Sequence, residues 1–288
     1  MIILEYLKVI LIGIVEGITE WLPVSSTGHM ILFERLLPLE MMSPAFYSMF
    51  LYVIQLAAIL AVVCFFFYRL NPFSKRKSKA EAKNTWRIWF LVLIGIIPAG
   101  VVGVALDDLI DEYVVASDFG PFVVAATLIL YGILYVVLER ARKNKPFAVA
   151  DIGDLTPRQA LYIGLFQCLS IIPGTSRSGS TILGGMALGV SRVAAAEYSF
   201  FMAIPIMAGM SLLKVGKYAL RAIEGVEGYA CTGTELGLLL VGSLVAFLVS
   251  FMCIRFLMDF VRRHSFEVFG WYRIALGFFV ILYFSIAG

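Results

Sequence analysis

The chain has 288 residues, 61% of them hydrophobic and only 15% charged, with a formal net charge of +3 and a mean hydropathy of +0.92. A soluble domain carries about a quarter charged residues, so this composition excludes a water-soluble globule. The small net charge gives no reason to expect a nucleic-acid partner. The four cysteines (Cys64, Cys168, Cys231 and Cys253) lack the paired spacing of a metal or disulfide site, and are expected as small buried hydrophobes.

Residues 3–37 come first, and they are apolar but broken. No basic n-region opens them, and Glu16 and Glu20 interrupt the run, so no cleaved signal is expected and the mature chain is expected to begin near Met1. Gly13, Gly17, Pro23 and Gly28 break the stretch around a run of Ser and Thr. Clean apolar spans follow at about 45–68, 87–106 and 119–139. Each reaches the roughly 20 residues that cross a bilayer. A second broken stretch, 159–190, carries Gly164, Pro173, Gly174, Gly179, Gly184 and Gly185 around another run of Ser and Thr. Three more clean spans lie at about 195–216, 236–259 and 267–286. Irregular backbone at membrane depth survives only where protein or a water-filled cavity surrounds it. Both broken stretches therefore read as re-entrant helix hairpins. The expected fold is an all-α polytopic membrane protein with six transmembrane helices plus two such hairpins.

Loop charges orient the spans. Loop 69–87 holds Arg69, Lys75, Arg76, Lys77, Lys79, Lys83 and Arg87, and loop 140–158 holds Arg140, Arg142, Lys143, Lys145 and Arg158. Excess Lys and Arg marks the cytoplasmic side. Loop 107–118 holds Asp107, Asp108, Asp111, Glu112 and Asp118 with no Lys or Arg, and is expected outside as a plain loop. Arg262 and Arg263 put 259–266 inside, which leaves 217–235 outside. The first hairpin then enters from the outside and the second from the cytoplasm.

The halves also resemble each other. Gly13-x-x-Glu16 before Ser25-Ser26-Thr27-Gly28 parallels Gly164-x-x-Gln167 before Ser176-Arg177-Ser178-Gly179. Each half is a hairpin plus three spans, and an odd number of spans inverts the second copy. The expectation is a single membrane domain, 1–288, of inverted-topology repeats at about 1–145 and 151–288. Such repeats place their ligand site near the midplane.

Two constellations carry chemistry. The first runs from Glu16 through Glu20 to Ser25-Ser26-Thr27-Gly28-His29. Glu16 and Glu20 are four apart and share one helix face. Ionisable residues at membrane depth are functional candidates by default, and His29 in this setting is a candidate nucleophile or acid/base. The second is Pro173-Gly174-Thr175-Ser176-Arg177-Ser178-Gly179-Ser180-Thr181. A broken-helix end binds anions, and the Arg177 fork matches phosphate oxygens. Helix packing explains the small residues but not an arginine. Together the two hairpins offer what phosphoryl transfer requires: a nucleophile, a base or metal ligand, and positive charge. Trp21, Trp86, Trp89 and Trp271 read as interfacial belts, and His264 as solvated. The small residues of 95–103 read as helix packing, with a lipid groove as the alternative. Gln55 is a further candidate for lining the site.

These motifs resemble the undecaprenyl-diphosphate phosphatase family, also called bacitracin-resistance proteins. The match lies in the Glu16…Glu20 pair, Leu22-Pro23-Val24-Ser25-Ser26-Thr27-Gly28-His29, Pro173-Gly174-Thr175-Ser176-Arg177-Ser178-Gly179, the run from Gln55, and Ile97-Pro98-Ala99. The resemblance spans essentially the whole chain. It implies hydrolysis of undecaprenyl diphosphate to undecaprenyl phosphate and phosphate, recycling the lipid carrier for peptidoglycan and conferring bacitracin resistance. It also implies a divalent metal, Mg²⁺ or Ca²⁺, and a bacterial cytoplasmic-membrane location with the site facing outside. Interlocking inverted repeats are implied too, and a homodimer is left as an open expectation.

On this reading Ser25, Thr27, Ser176, Arg177, Ser178, Gly179 and Thr181 hold the phosphates, and Glu16 and Glu20 hold the metal or act as base. Ser26 is the leading nucleophile with His29 beside it, while attack by His29 or by water stays open. The competing readings are a prenyl-phosphate transporter, whose architecture also uses inverted repeats, and a non-catalytic lipid-binding protein.

Overall fold

Ser, Thr and Pro punctuation sets where the helices begin. In the computed structural model, which describes residues 2–110, 113–114, 117 and 119–287, the chain folds as α1 (Ile2–Thr19), α2 (Ser26–Leu36), α3 (Pro44–Phe65), the single turn α4 (Phe67–Leu70), α5 (Lys79–Ile110), α6 (Gly120–Arg142), α7 (Pro157–Cys168), α8 (Arg177–Ala187), α9 (Arg192–Ile223), α10 (Gly233–Arg263) and α11 (Glu267–Ala287). Among the described residues the only strand-like pairing is one isolated bridge, Val149 to Val190. Ser43 and Ser191 cap α3 and α9. Thr156 with Gln159, and Thr232 with Glu235, form capping boxes that start α7 and α10. Among the described residues six helices, α3, α5, α6, α9, α10 and α11, are long and apolar enough to cross a membrane, so the chain is a multi-pass membrane protein. The acidic side chains of 107–118 fall outside the described residues.

Lipid is as apolar as leucine, so helix association depends on close approach rather than on hiding apolar surface. Glycine supplies that approach where α1 crosses α10 and where α7 crosses α5. A Cβ on Gly13 would lie 2.9 Å from the Gly242 carbonyl oxygen, and one on Gly164 would lie 2.2 Å from that of Gly95. The α6–α11 crossing is reciprocal: a Cβ on Gly132 or on Gly270 would each meet the other's carbonyl oxygen at 2.7 Å. Large apolar side chains such as Val104, Leu244 and Phe256 point outward, as lipid contact allows.

Polar contacts sort the bundle's two ends. At one end Arg69 pairs with Asp151 at 2.6 Å and also with Glu197, Arg87 donates to the Gly153 and Leu155 carbonyls, and Arg192 pairs with Glu139 at 2.5 Å. These tie together loops 69–87 and 140–158 and the start of α9. At the other end Lys8 bonds Glu5 at 2.8 Å and the Pro38 carbonyl at 2.6 Å, and Glu235 accepts from the Ser43 N–H at 2.8 Å. The pair α1–α2 thus starts and finishes at this second end. The pair α7–α8 starts and finishes at the basic end, where the Ala148 N–H donates to the Gly189 carbonyl at 2.8 Å.

Two expectations are corrected. Of the cysteines only Cys253 is buried, while Cys64 and Cys231 are exposed, and all four are free. An outward thiol on α3 meets lipid, so protein burial is not needed to keep it from water. Trp21 is not an interfacial residue: it is 0% exposed, packed edge-on against Phe200 at 5.2 Å.

Candidate functional site

The turns that end α1 and precede α8 meet in the interior. Both α2 and α8 start from a serine with left-handed backbone, Ser25 at φ 74° and Ser176 at φ 72°. Among the described residues these are the only positive-φ positions outside glycine. Such backbone costs about 1–3 kcal/mol and persists where the surroundings enforce it. Each serine hydroxyl then accepts from a glycine N–H three residues on, Gly28 at 3.2 Å and Gly179 at 3.1 Å. The same local device therefore aims both short helices, and Arg177 stands as the first residue of α8.

Three candidates make direct contact across the two turns. Arg177 Nη2 donates to Glu20 Oε1 at 2.8 Å, and Ser26 Oγ donates to Glu20 Oε2 at 2.9 Å. Arg177 and Glu20 are both mostly buried, with side chains 12% and 9% exposed, so each charge relies on the other. The other guanidinium nitrogen, Nη1, donates to the Ser199 carbonyl at 2.9 Å, and the group lies over the Trp21 ring at 5.7 Å. Its Nε has no partner. Glu16, one turn before Glu20, is 1% exposed, and its Oε1 has no partner.

Several other predicted residues hold the turns in place. Ser178 Oγ lies 3.2 Å from the Glu20 carbonyl and 3.3 Å from that of Leu22. Thr181 Oγ1 donates to Ser199 Oγ at 2.7 Å. Thr27 is exposed and Gln55 half-buried. His29 faces α11, not Glu20. Its Nδ1 lies 2.7 Å from the Ser25 carbonyl oxygen and its Nε2 2.7 Å from the Tyr272 hydroxyl. A carbonyl only accepts, so Nδ1 carries a proton, and in the neutral imidazole Nε2 accepts from Tyr272. The two rings stack at 5.7 Å.

Sequence reasoning missed Ser199, Tyr272 and, above all, Arg273. Arg273 is 0% exposed. It donates to the Pro23 carbonyl at 3.1 Å and to those of Gly174 and Thr175 at 2.9 Å each, so one guanidinium joins both turns. Arg273 lies within the expected span 267–286, where one charge barely changes the mean apolarity that marks a span. Among the described residues no three His, Cys, Asp or Glu side chains gather to share an ion. The carboxylates available for a cation are Glu16 and Glu20.

A groove of about 530 Å³ reaches this site between α5 and α9, with Arg177 and Gln167 in its wall. The small residues of α5 divide here. A Cβ on Gly95 would press on Tyr198 and Met202, whereas Gly100 and Gly103 have nothing within 4 Å and line the groove.

The family described as bacitracin resistance protein BacA matches residues 9–279. A protein of Latilactobacillus sakei named undecaprenyl-diphosphatase is 49% identical over 281 residues, 98% of each chain. One of Clostridioides difficile, named undecaprenyl-diphosphatase 1, is 50% identical over 98% of this chain and 97% of its own, and an Enterococcus faecalis undecaprenyl-diphosphatase is 48% identical over 97% of each. With a match running through both turns and all six long helices, the chain belongs to the BacA bacitracin resistance family.

Proposed function

We propose that this chain hydrolyses undecaprenyl diphosphate to undecaprenyl phosphate and inorganic phosphate, which recycles the lipid carrier for peptidoglycan synthesis and removes the diphosphate that bacitracin binds. The observation that carries the reading is the contact of Ser26, Glu20 and Arg177, a hydroxyl on a buried carboxylate on an arginine fork. Arg177, which lines the groove and whose Nε has no partner, takes the nonbridging oxygens of the terminal phosphate. Ser26 Oγ attacks that phosphorus. The Oγ–P bond forms, the bond from phosphorus to the bridging oxygen breaks, and undecaprenyl phosphate leaves with the electron pair. The Ser26 proton passes to Glu20 Oε2. Glu20 hands that proton to the departing undecaprenyl phosphate and, ionised again, takes one from water; the water oxygen bonds phosphorus, the Oγ–P bond breaks, the proton returns through Glu20 to Ser26 Oγ, and inorganic phosphate departs. The engagement of both His29 nitrogens supports Ser26 over His29 as nucleophile and gives His29 the part of fixing the Ser25 turn. On the same reading the Ser25, Ser176, Ser178 and Thr181 hydroxyls shape the phosphate site beside the Gly179 backbone, and exposed Thr27 stands at its edge.

Glu16 and Glu20 are the residues that would hold Mg²⁺ or Ca²⁺. The unpartnered Glu16 oxygen suits a hard cation, and magnesium sites draw on one or two carboxylates plus substrate phosphates. When bound, such an ion neutralises charge on the diphosphate.

We read α1–α2 and α7–α8 as hairpins re-entering from opposite faces, in one domain of two inverted repeats. The paired serine caps, the matching glycine crossings of α1 on α10 and α7 on α5, and the reciprocal α6–α11 crossing support this. The positive-inside rule puts the basic end in the cytoplasm, so the site faces the outer side of the bacterial cytoplasmic membrane. Both turns come from one chain, so the chemistry needs no second copy.

The test is phosphate release from undecaprenyl diphosphate by the purified protein in detergent, with and without EDTA, beside Arg177→Ala, Glu20→Gln and Ser26→Ala. Metal-dependent release is expected, with losses of about 10²–10⁴-fold in the folded variants. No release from well-folded wild type supplied with Mg²⁺ or Ca²⁺ would overturn the reading.

A further inference from the structure

Gln167 is 1% exposed, yet neither its carboxamide oxygen nor its nitrogen has a hydrogen-bond partner. A buried amide left unsatisfied is costly, and in a native structure it needs an explanation. This one lines the α5–α9 groove together with Arg177. In the sequence it matches Glu16, whose Oε1 is likewise without a partner. Farther along the same groove α9 presents Lys214 and Lys217. Lys214 is half-buried with its ammonium 5.0 Å over the Tyr52 ring, and Lys217 is exposed. They lie toward the end of α9 away from the basic loops. Between lysines and floor the walls are apolar and open: a Cβ added at Gly103 or Gly209 meets nothing within 4 Å.

We propose that this groove takes the lipid diphosphate, with Gln167 hydrogen-bonding a diphosphate oxygen beside Arg177, Lys214 and Lys217 drawing the headgroup along α9, and the prenyl chain lying over Gly103 and Gly209. The inference rests on the phosphatase reading and deepens it. Charge complementarity selects the occupant: three cations in an apolar trough suit an anionic headgroup on a hydrocarbon chain and not a neutral bilayer lipid.

The experiment measures kcat and KM for undecaprenyl diphosphate in detergent, with direct binding of the same lipid in parallel, on wild type, Gln167→Leu, Gln167→Glu, Lys214→Ala/Lys217→Ala and Gly209→Trp. Gln167→Leu should lower kcat/KM roughly 10- to 100-fold, the loss of a hydrogen bond to a charged group. Gln167→Glu should lower it further, because a carboxylate repels the diphosphate, which a purely structural role does not predict. The double lysine variant should raise KM roughly threefold to tenfold with kcat kept, and flatten the salt dependence of KM. Gly209→Trp should raise KM more for undecaprenyl than for farnesyl diphosphate. Active wild type with all four variants at wild-type kcat/KM overturns the inference and leaves the phosphatase reading standing. Wild type that binds the lipid but releases no phosphate defeats that reading alone. In that case weaker binding by the variants still supports the groove, and unchanged binding overturns it.

Discussion

Arg273→Met removes a side chain of α11 that bonds both interior turns. Methionine keeps the length and apolar stem but leaves the Pro23, Gly174 and Thr175 carbonyls without their donor. The contact over the Tyr131 ring, 5.4 Å from the guanidinium, is lost as well. Three such bonds at about 1–1.5 kcal/mol each place the destabilisation at about 3–4.5 kcal/mol. The larger effect is on geometry. The Glu20–Arg177 contact depends on the two turns keeping their spacing, and a shift of about 1 Å costs on the order of 10²-fold in rate. We therefore expect Arg273→Met to lower the melting temperature in detergent and to reduce kcat about 100-fold when assayed well below that temperature. Arg273→Lys should restore part of the stability and little of the rate, since an ammonium lacks the planar fork that reaches both turns. A folded Arg273→Met protein with wild-type kcat would refute the argument that this residue sets the spacing.

Two further predictions concern groups outside the central contact. Tyr272→Phe keeps the ring stacked on His29 and deletes only the hydroxyl donor to Nε2. It should lower kcat/KM about fivefold with the melting temperature nearly unchanged, and an equal loss of both would show that the hydroxyl serves stability alone. At the basic end burial works to raise the Asp151 pKa, but the hydrogen bonds from Arg69 and the Gly153 N–H outweigh it and hold the carboxyl below the ordinary aspartate range. A depressed folded value contributes stability above the unfolded value of about 3.9, and that stability is lost as pH falls through the folded value. Melting temperature should thus fall on acidification below about pH 4 in wild type and fall less in Asp151→Asn; parallel curves would remove Asp151 from the acid response.

The spans were legible because length and apolarity are properties of a window. The expected 45–68 and 236–259 became Pro44–Phe65 and Gly233–Arg263, with the differences set by caps such as Ser43 and Thr232 and by charged ends that stay helical beyond the apolar zone. The same averaging hid Arg273 and Lys214, since one charge among some twenty apolar residues barely moves a mean. Arg177 was conspicuous only because Gly and Ser had already broken its stretch. Trp21 was misread for a related reason: sequence places it near a helix end but not beneath the guanidinium that another turn brings over it. The pairing of His29 with Tyr272, 243 residues apart, has no local signal at all.

What the two broken helices achieve together follows from electrostatics at membrane depth. A lone carboxylate or guanidinium buried there is expensive, and Glu20 from one turn and Arg177 from the other satisfy each other. On the proposed reading, a diphosphate arriving beside Arg177 competes for the same fork with more negative charge than a carboxylate carries. As the arginine turns toward phosphate, Glu20 loses a donor on Oε1 while Ser26 stays on Oε2. The carboxylate then becomes a stronger base, and the hydroxyl it will deprotonate is already in place. The ion pair between the two turns thus also ties headgroup capture to activation of the nucleophile. That coupling requires the acid and the arginine to come from two separate turns held at a fixed distance.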